Sequence, residues 1–168
     1  GIEDAEQDVD LYRVTYSTIG SDGMPDTASG SVALPIMDNE NFPILIYHHG
    51  TVNNRFDVPS QGSSESTVGL TGAAYGYVSL LPDYLGMGTS RGYHPYLHAE
   101  TQARSAIDML KAVSNRLDAD AYNYSKRIFL TGYSQGGHAS ASTHFYLEQD
   151  PLDEFELVAA AHLSGPYD

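Results

Sequence analysis

One junction constrains this chain more than any other. Arg127-Ile128-Phe129-Leu130-Thr131 is a short apolar strand that runs straight into Gly132-Tyr133-Ser134-Gln135-Gly136-Gly137-His138. Ala139 to Gln149 then reads as a helix, and Pro151 follows its end. A chain passing from strand to helix this abruptly needs glycine where side chains would collide. Gly132 and Gly136 are expected to clear the reversal, and Gly137 to bring the helix close to a neighbour. The bland reading of Ser134 is a solvated turn serine. The strand, glycines and helix around it favour a serine raised above a sheet edge, with Oγ free to attack a carbonyl carbon.

The remaining elements supply that sheet. Leu11 to Ser17 alternates as a strand, Gly20 to Gly30 reads as a connection, and Ser31 to Ile36 as a second strand, antiparallel to the first. Pro35 points to an edge or a strand end. Ile44 to Tyr47 is a continuous apolar run, the pattern of a strand covered on both faces. A polar stretch, Thr51 to Ser66, reads as a mobile loop or pocket rim. A short helix is expected over Thr67 to Tyr75, a buried strand over Tyr77 to Leu81, and a glycine turn over Leu85 to Thr89. Pro95 to Leu117 carries Ala103, Ala106, Ile107, Leu110, Val113 and Leu117 on one helical face. Asp118 to Ser125 is a polar connection, and Glu156 to Leu163 a last central strand. This order predicts an α/β fold: a mostly parallel sheet in a three-layer sandwich. His49, Asp83, Ser134 and Ser164 all fall near strand C-termini, where such sheets bind ligands.

Composition removes several classes. The 168 residues include 22 acidic and 8 basic side chains, a formal charge of -14, which disfavours nucleic acid and anionic membrane surfaces. Cysteine is absent, so disulfides, thiolate catalysis and Cys-based metal sites are excluded. No run approaches the ~18 apolar residues of a membrane helix, so an integral membrane protein is not expected. No cofactor is expected either: there is no P-loop, and no GxGxxG in the strand–helix context it needs. The start, Gly1-Ile2-Glu3-Asp4-Ala5-Glu6, lacks a leader's basic and apolar segments. A chain begun inside a longer precursor and an arbitrary domain cut both fit it.

A serine attacking a carbonyl needs donors for the developing oxyanion. The turn offers the backbone N–H of Gln135, at the start of a helix whose dipole favours negative charge. A second donor is expected after the third strand, where His48-His49-Gly50-Thr51 stands. The N–H of Thr51 is the candidate, with Gly50 giving the turn and close approach. An ordinary loop is the alternative there. Tyr84, Tyr93, Tyr96 and Tyr133 are candidates to line an apolar substrate cleft, against ordinary packing or surface exposure in a chain with 13 tyrosines.

On Leu81-Pro82-Asp83-Tyr84-Leu85-Gly86-Met87-Gly88 and Gly132-Tyr133-Ser134-Gln135-Gly136-Gly137, the chain resembles the α/β-hydrolases. More narrowly, it is similar to secreted lipase, esterase and aminopeptidase-like members. The resemblance spans nearly the whole chain. It implies a Ser–Asp–His triad, an oxyanion hole after the third strand, small ester or lipid substrates, and an extracellular or periplasmic setting.

The family order is serine, acid, histidine, and here the chain departs from it. Asp150, Asp153, Glu154 and Glu156 precede or begin the next strand. His138 and His144 lie on the helix after the serine, and His162 in the last strand. None matches the late loop that carries the family's histidine. Residues 1–168 therefore read as the N-terminal portion of a single α/β-hydrolase domain. Its acid and histidine would come from a C-terminal remainder, as a second chain or an omitted segment. Helix packing or a local hydrogen bond is the expectation for His138, and a satisfied strand-end histidine for His162. Asp83 is expected to accept loop N–H bonds. His94 and His98 sit at a loop–helix junction that either could cap or orient.

A metal on His48, His49 and Asp57 or His98 is not expected, because neighbouring strand residues point opposite ways and HExxH is absent. The acids Glu3, Asp4, Glu6, Asp8 and Asp10 read as a solvated arm. The reading is a serine esterase or lipase acting through an acyl-enzyme on Ser134. A peptidase or aminopeptidase is the rival within this chemistry. A noncatalytic binding module is the rival outside it.

Overall fold

The computed structural model describes residues 8–36 and 41–167. Glu3, Asp4 and Glu6 lie outside them. Strands β1 (Val9–Ile19), β2 (Pro25–Pro35), β3 (Phe42–His48), β4 (Val78–Pro82), β5 (Tyr124–Tyr133) and β6 (Glu156–Leu163) form one sheet in the order β1-β2-β4-β3-β5-β6. β1 and β2 pair antiparallel over their whole length, and β2 is antiparallel to β4. β4, β3, β5 and β6 are mutually parallel. Three helices, α1 (Ser66–Ala74), α2 (Ala99–Ala119) and α3 (Gln135–Gln149), make the crossovers that parallel pairing demands.

Alternation along the strands sends successive side chains to opposite faces. On one face Ile44, Ile46, Val78, Leu80, Ile128 and Leu130 pack with Ala106, Met109, Leu110, Val113 and Leu117 of α2 and Leu147 of α3. On the other, α1 lies so close that a Cβ at Gly69 would stand 2.4 Å from Leu81, and one at Gly72 2.6 Å from Ser79. The result is the expected three-layer sandwich, with fewer strands than the full fold.

Several boundaries differ from expectation. β2 begins at Pro25, so half of the glycine- and serine-rich connection is strand. Only a tight turn remains there, with Gly23 N–H bonded to Gly20 O at 2.9 Å. β2 is also an interior strand, and Pro35 marks its end rather than a sheet edge. α2 starts at Ala99, after Leu97 adopts φ 55°, and His98 caps it by accepting from Thr101 N–H. The stretch from Thr51 to Ser66 is not a loose rim throughout. Val58, Pro59 and Ser60 are buried, and Ser60 N–H bonds Asp83.

Candidate active site

The parallel strands end on one rim, and β5 delivers Ser134 to it. Ser134 has φ 57° and ψ -119°, a backbone region closed to most L-residues. Such a conformation costs on the order of 1–3 kcal/mol and persists only where its surroundings over-determine it. Here Ser134 N–H donates to Leu163 O of β6 at 2.9 Å, and Ser134 O accepts from His138 N–H at 3.2 Å. The glycines make the rest possible. A Cβ on Gly136 would stand 1.9 Å from His48 O, and one on Gly132 2.3 Å from Gly136 O. A Cβ on Gly137 would meet Leu163 O at 2.5 Å. α3 therefore starts wedged between the ends of β3 and β6.

Gln135 is the first residue of α3, so its N–H lies outside the intrahelical ladder. Its side chain is buried, with Nε2 2.6 Å from His94 Nε2. The segment after β3 runs beside the serine turn, since a Cβ at Gly50 would come within 3.6 Å of Tyr133 O. That is ordinary contact, and Gly50 has no positive φ. The close approach expected at Gly50 is instead made at Gly136, because it is the α3 backbone that presses against His48. Thr51 is exposed, and its Oγ1 lies 2.9 Å from Tyr96 Oη.

The tyrosines divide. Tyr93, Tyr96 and Tyr133 are exposed. Tyr84 is fully buried, so it offers no surface to a cleft. Its hydroxyl donates to His49 O at 2.8 Å, and its ring lies 4.2 Å from His49 and 5.8 Å from His94. Asp83, also fully buried, accepts from Ser29 Oγ at 2.6 Å and Ser60 N–H at 2.9 Å. It anchors the loop as its sequence position suggests.

The histidines are engaged away from Ser134 Oγ. His138 Nδ1 bonds Gln102 Oε1 at 2.6 Å, which ties α3 to α2. His162 Nδ1 lies 2.9 Å from Ser140 Oγ, and its Nε2 lies 3.1 Å from His144 Nδ1. His48 is buried with Nε2 3.3 Å from Thr143 Oγ1. Burial, reinforced by His49 and His162, lowers its pKa to about 3. Among the described residues no group of three His, Asp or Glu side chains could hold a metal ion. No described helix is long and apolar enough to cross a membrane. A cavity of ≈ 1140 Å³ opens between β1 and the C-terminal half of α2, lined by Tyr12, Val14, Leu34, Val113 and Leu117. It contains none of the candidate residues.

The contact that sequence reasoning missed is His94 with Gln135. They are 41 positions apart, and no periodicity links them. The only available signal was the place of His94 before a helix.

No protein-family model matches the sequence, and no curated protein does. Solved structures do. The rice cell wall degrading esterase LipA from Xanthomonas oryzae is 37% identical over 99% of this chain and 45% of its own, with a TM-score of 0.89. A structure from Legionella pneumophila is 37% identical over 96% of this chain and 44% of its own, with a TM-score of 0.90. Candida antarctica lipase A in its closed state is 15% identical over 94% of this chain and 38% of its own, at 0.65, a likeness of fold alone. The chain spans less than half the length of each of these proteins.

Proposed function

Because the chain belongs to the α/β-hydrolase superfamily, we propose that it carries the nucleophile half of a serine hydrolase acting on carboxylic esters. The observation that supports this most is the strained conformation of Ser134 between β5 and α3. Strain kept by so many backbone contacts is expected at a functional turn. Ser134 Oγ attacks the ester carbonyl, and the backbone N–H groups of Gln135 and Thr51 receive the oxyanion. Loss of the alcohol leaves an acyl-serine, which water hydrolyses. The likeness to an esterase supports esters over peptides.

A serine without a base is a weak nucleophile, and among the described residues no histidine ring is hydrogen-bonded to Ser134 Oγ. The acid and histidine are therefore proposed to come from a C-terminal remainder of the same hydrolase, of which residues 1–168 are the N-terminal portion of one domain. β6 supports this. Among the described residues it pairs only with β5, and its run Leu157-Val158-Ala159-Ala160-Ala161-His162-Leu163 contains no fully buried residue, with Leu163 50% exposed. An apolar edge strand left bare invites a further strand. An extracellular or periplasmic setting is part of the same proposal, supported by the likeness to an esterase that degrades cell wall. The missing base also favours a second reading, a noncatalytic binding module.

Hydrolysis of chromogenic acyl esters and of aminoacyl amides by the whole protein that contains this chain tests the proposal. Ester cleavage that Ser134→Ala abolishes is expected. Amide cleavage alone would replace it with a peptidase, and no hydrolysis of either would leave the binding module.

A further inference from the structure

Resting on that reading of Ser134 and Gln135, we propose that His94 is a positioning residue for the oxyanion donor, acting through the Gln135 side chain. Gln135 has two parts with different tasks. Its backbone N–H opens α3 toward the rim, while its side chain turns inward to the loop between β4 and α2. There His94 Nε2 meets Gln135 Nε2 at 2.6 Å. Two nitrogens this close need one donor and one acceptor. The amide nitrogen can only donate, so His94 Nε2 must be the unprotonated acceptor.

The other side of the ring enforces that tautomer. His94 Nδ1 lies 2.8 Å from Leu85 O, a carbonyl that can only accept, so Nδ1 carries the proton. Burial holds the ring neutral by lowering its pKa. The ring is further fixed by Tyr84, stacked at 5.8 Å, and Tyr96, edge-on at 6.1 Å. Tyr84 in turn bonds His49 O, at the start of the segment that holds the other proposed donor. The groups facing the His94 ring are thus Gln135 of α3, Leu85 O, Tyr84 and Tyr96. His49, just past the end of β3, also opposes protonation of the ring.

A misplaced donor weakens the transition state more than the bound ester, because full negative charge exists only there. Removing an oxyanion donor costs roughly 10²–10³ in kcat. Loosening one that remains should cost less, about tenfold. His94→Ala removes the acceptor. His94→Gln puts Oε1 near the place of Nε2 and can still accept. Gln135→Ala keeps the backbone N–H and removes only the braced side chain.

The test is steady-state ester hydrolysis by the whole protein, with Ser134→Ala alongside. His94→Ala and Gln135→Ala should each lower kcat about tenfold with little change in KM. The double variant should fall no further than either single one, and His94→Gln should recover most of the rate. Multiplying effects in the double variant, a loss carried by KM, or no recovery in His94→Gln would overturn the proposal. If Ser134→Ala kept full activity, the nucleophile assignment itself would fail. A normal Ser134→Ala loss beside unchanged His94→Ala would refute only the role of His94.

Discussion

Gly136→Ala is the sharpest perturbation the serine turn offers. The added Cβ would sit 1.9 Å from His48 O and 2.8 Å from His49 O, both backbone atoms at the end of β3. Neither can rotate away as a side-chain tip could. Restoring an ordinary carbon–oxygen contact of about 3.2 Å requires α3 and β3 to part by roughly 1 Å. Overpacking of this kind costs about 1–3 kcal/mol. With a urea slope of ~2 kcal/mol/M, the unfolding midpoint should fall by about 1 M. Function should suffer more, since a 1 Å displacement of reacting groups can cost on the order of 10²-fold. Equilibrium urea unfolding and the rate of fluorophosphonate acylation read the two effects separately. Gly50→Ala is the control for stability. Its Cβ would meet only Tyr133 O, at 3.6 Å, and its stability should change by no more than about 0.5 kcal/mol, a midpoint shift within about 0.25 M. A Gly136→Ala protein with unchanged midpoint and acylation rate would refute the argument that α3 is wedged against β3.

Two further outcomes follow from buried polar groups. Asp83→Asn places an amide where a carboxylate accepts from Ser29 Oγ and Ser60 N–H, and should destabilise by about 2–3 kcal/mol in urea unfolding; no change would mean the carboxylate is not the loop's anchor. His48 governs part of the acid response. Its folded pKa, about 3, lies below the ordinary 6.5, so the unfolded chain binds the proton first as pH falls. The stability it contributes is complete above pH 6.5 and is lost as pH falls toward 3. Between pH 7 and pH 4.5 this group alone should remove on the order of 2–3 kcal/mol. His48→Gln should flatten that slope; an unchanged slope would contradict the assignment.

The order of elements was legible because the parallel strands are continuous apolar runs and α2 keeps a clean stripe. What escaped depends on partners far along the chain. Ala28, Ser29 and Gly30 look like a connection but are buried strand. Gly30 is small because Leu81 O and the Met109 side chain would stand 2.6 and 2.9 Å from a Cβ there. No local propensity encodes that pressure. Tyr124 joins β5 through pairing with Phe42, across a register shift that extends the strand beyond its apolar centre. At the site, the serine turn declares itself in five consecutive residues. Tyr84 does not, since a tyrosine beside a glycine turn gives no sign that its ring is sealed between His49 and His94. The inward-facing Gln135 side chain was equally silent, because G-x-S-x-G leaves that position open.

The most direct test is the intact mass of the whole protein that contains this chain, before and after a fluorophosphonate probe, with Ser134→Ala beside it. A single adduct on the species carrying Ser134, absent in the variant, is the predicted result. No adduct, or one that survives Ser134→Ala, would contradict the assignment of Ser134 as the nucleophile.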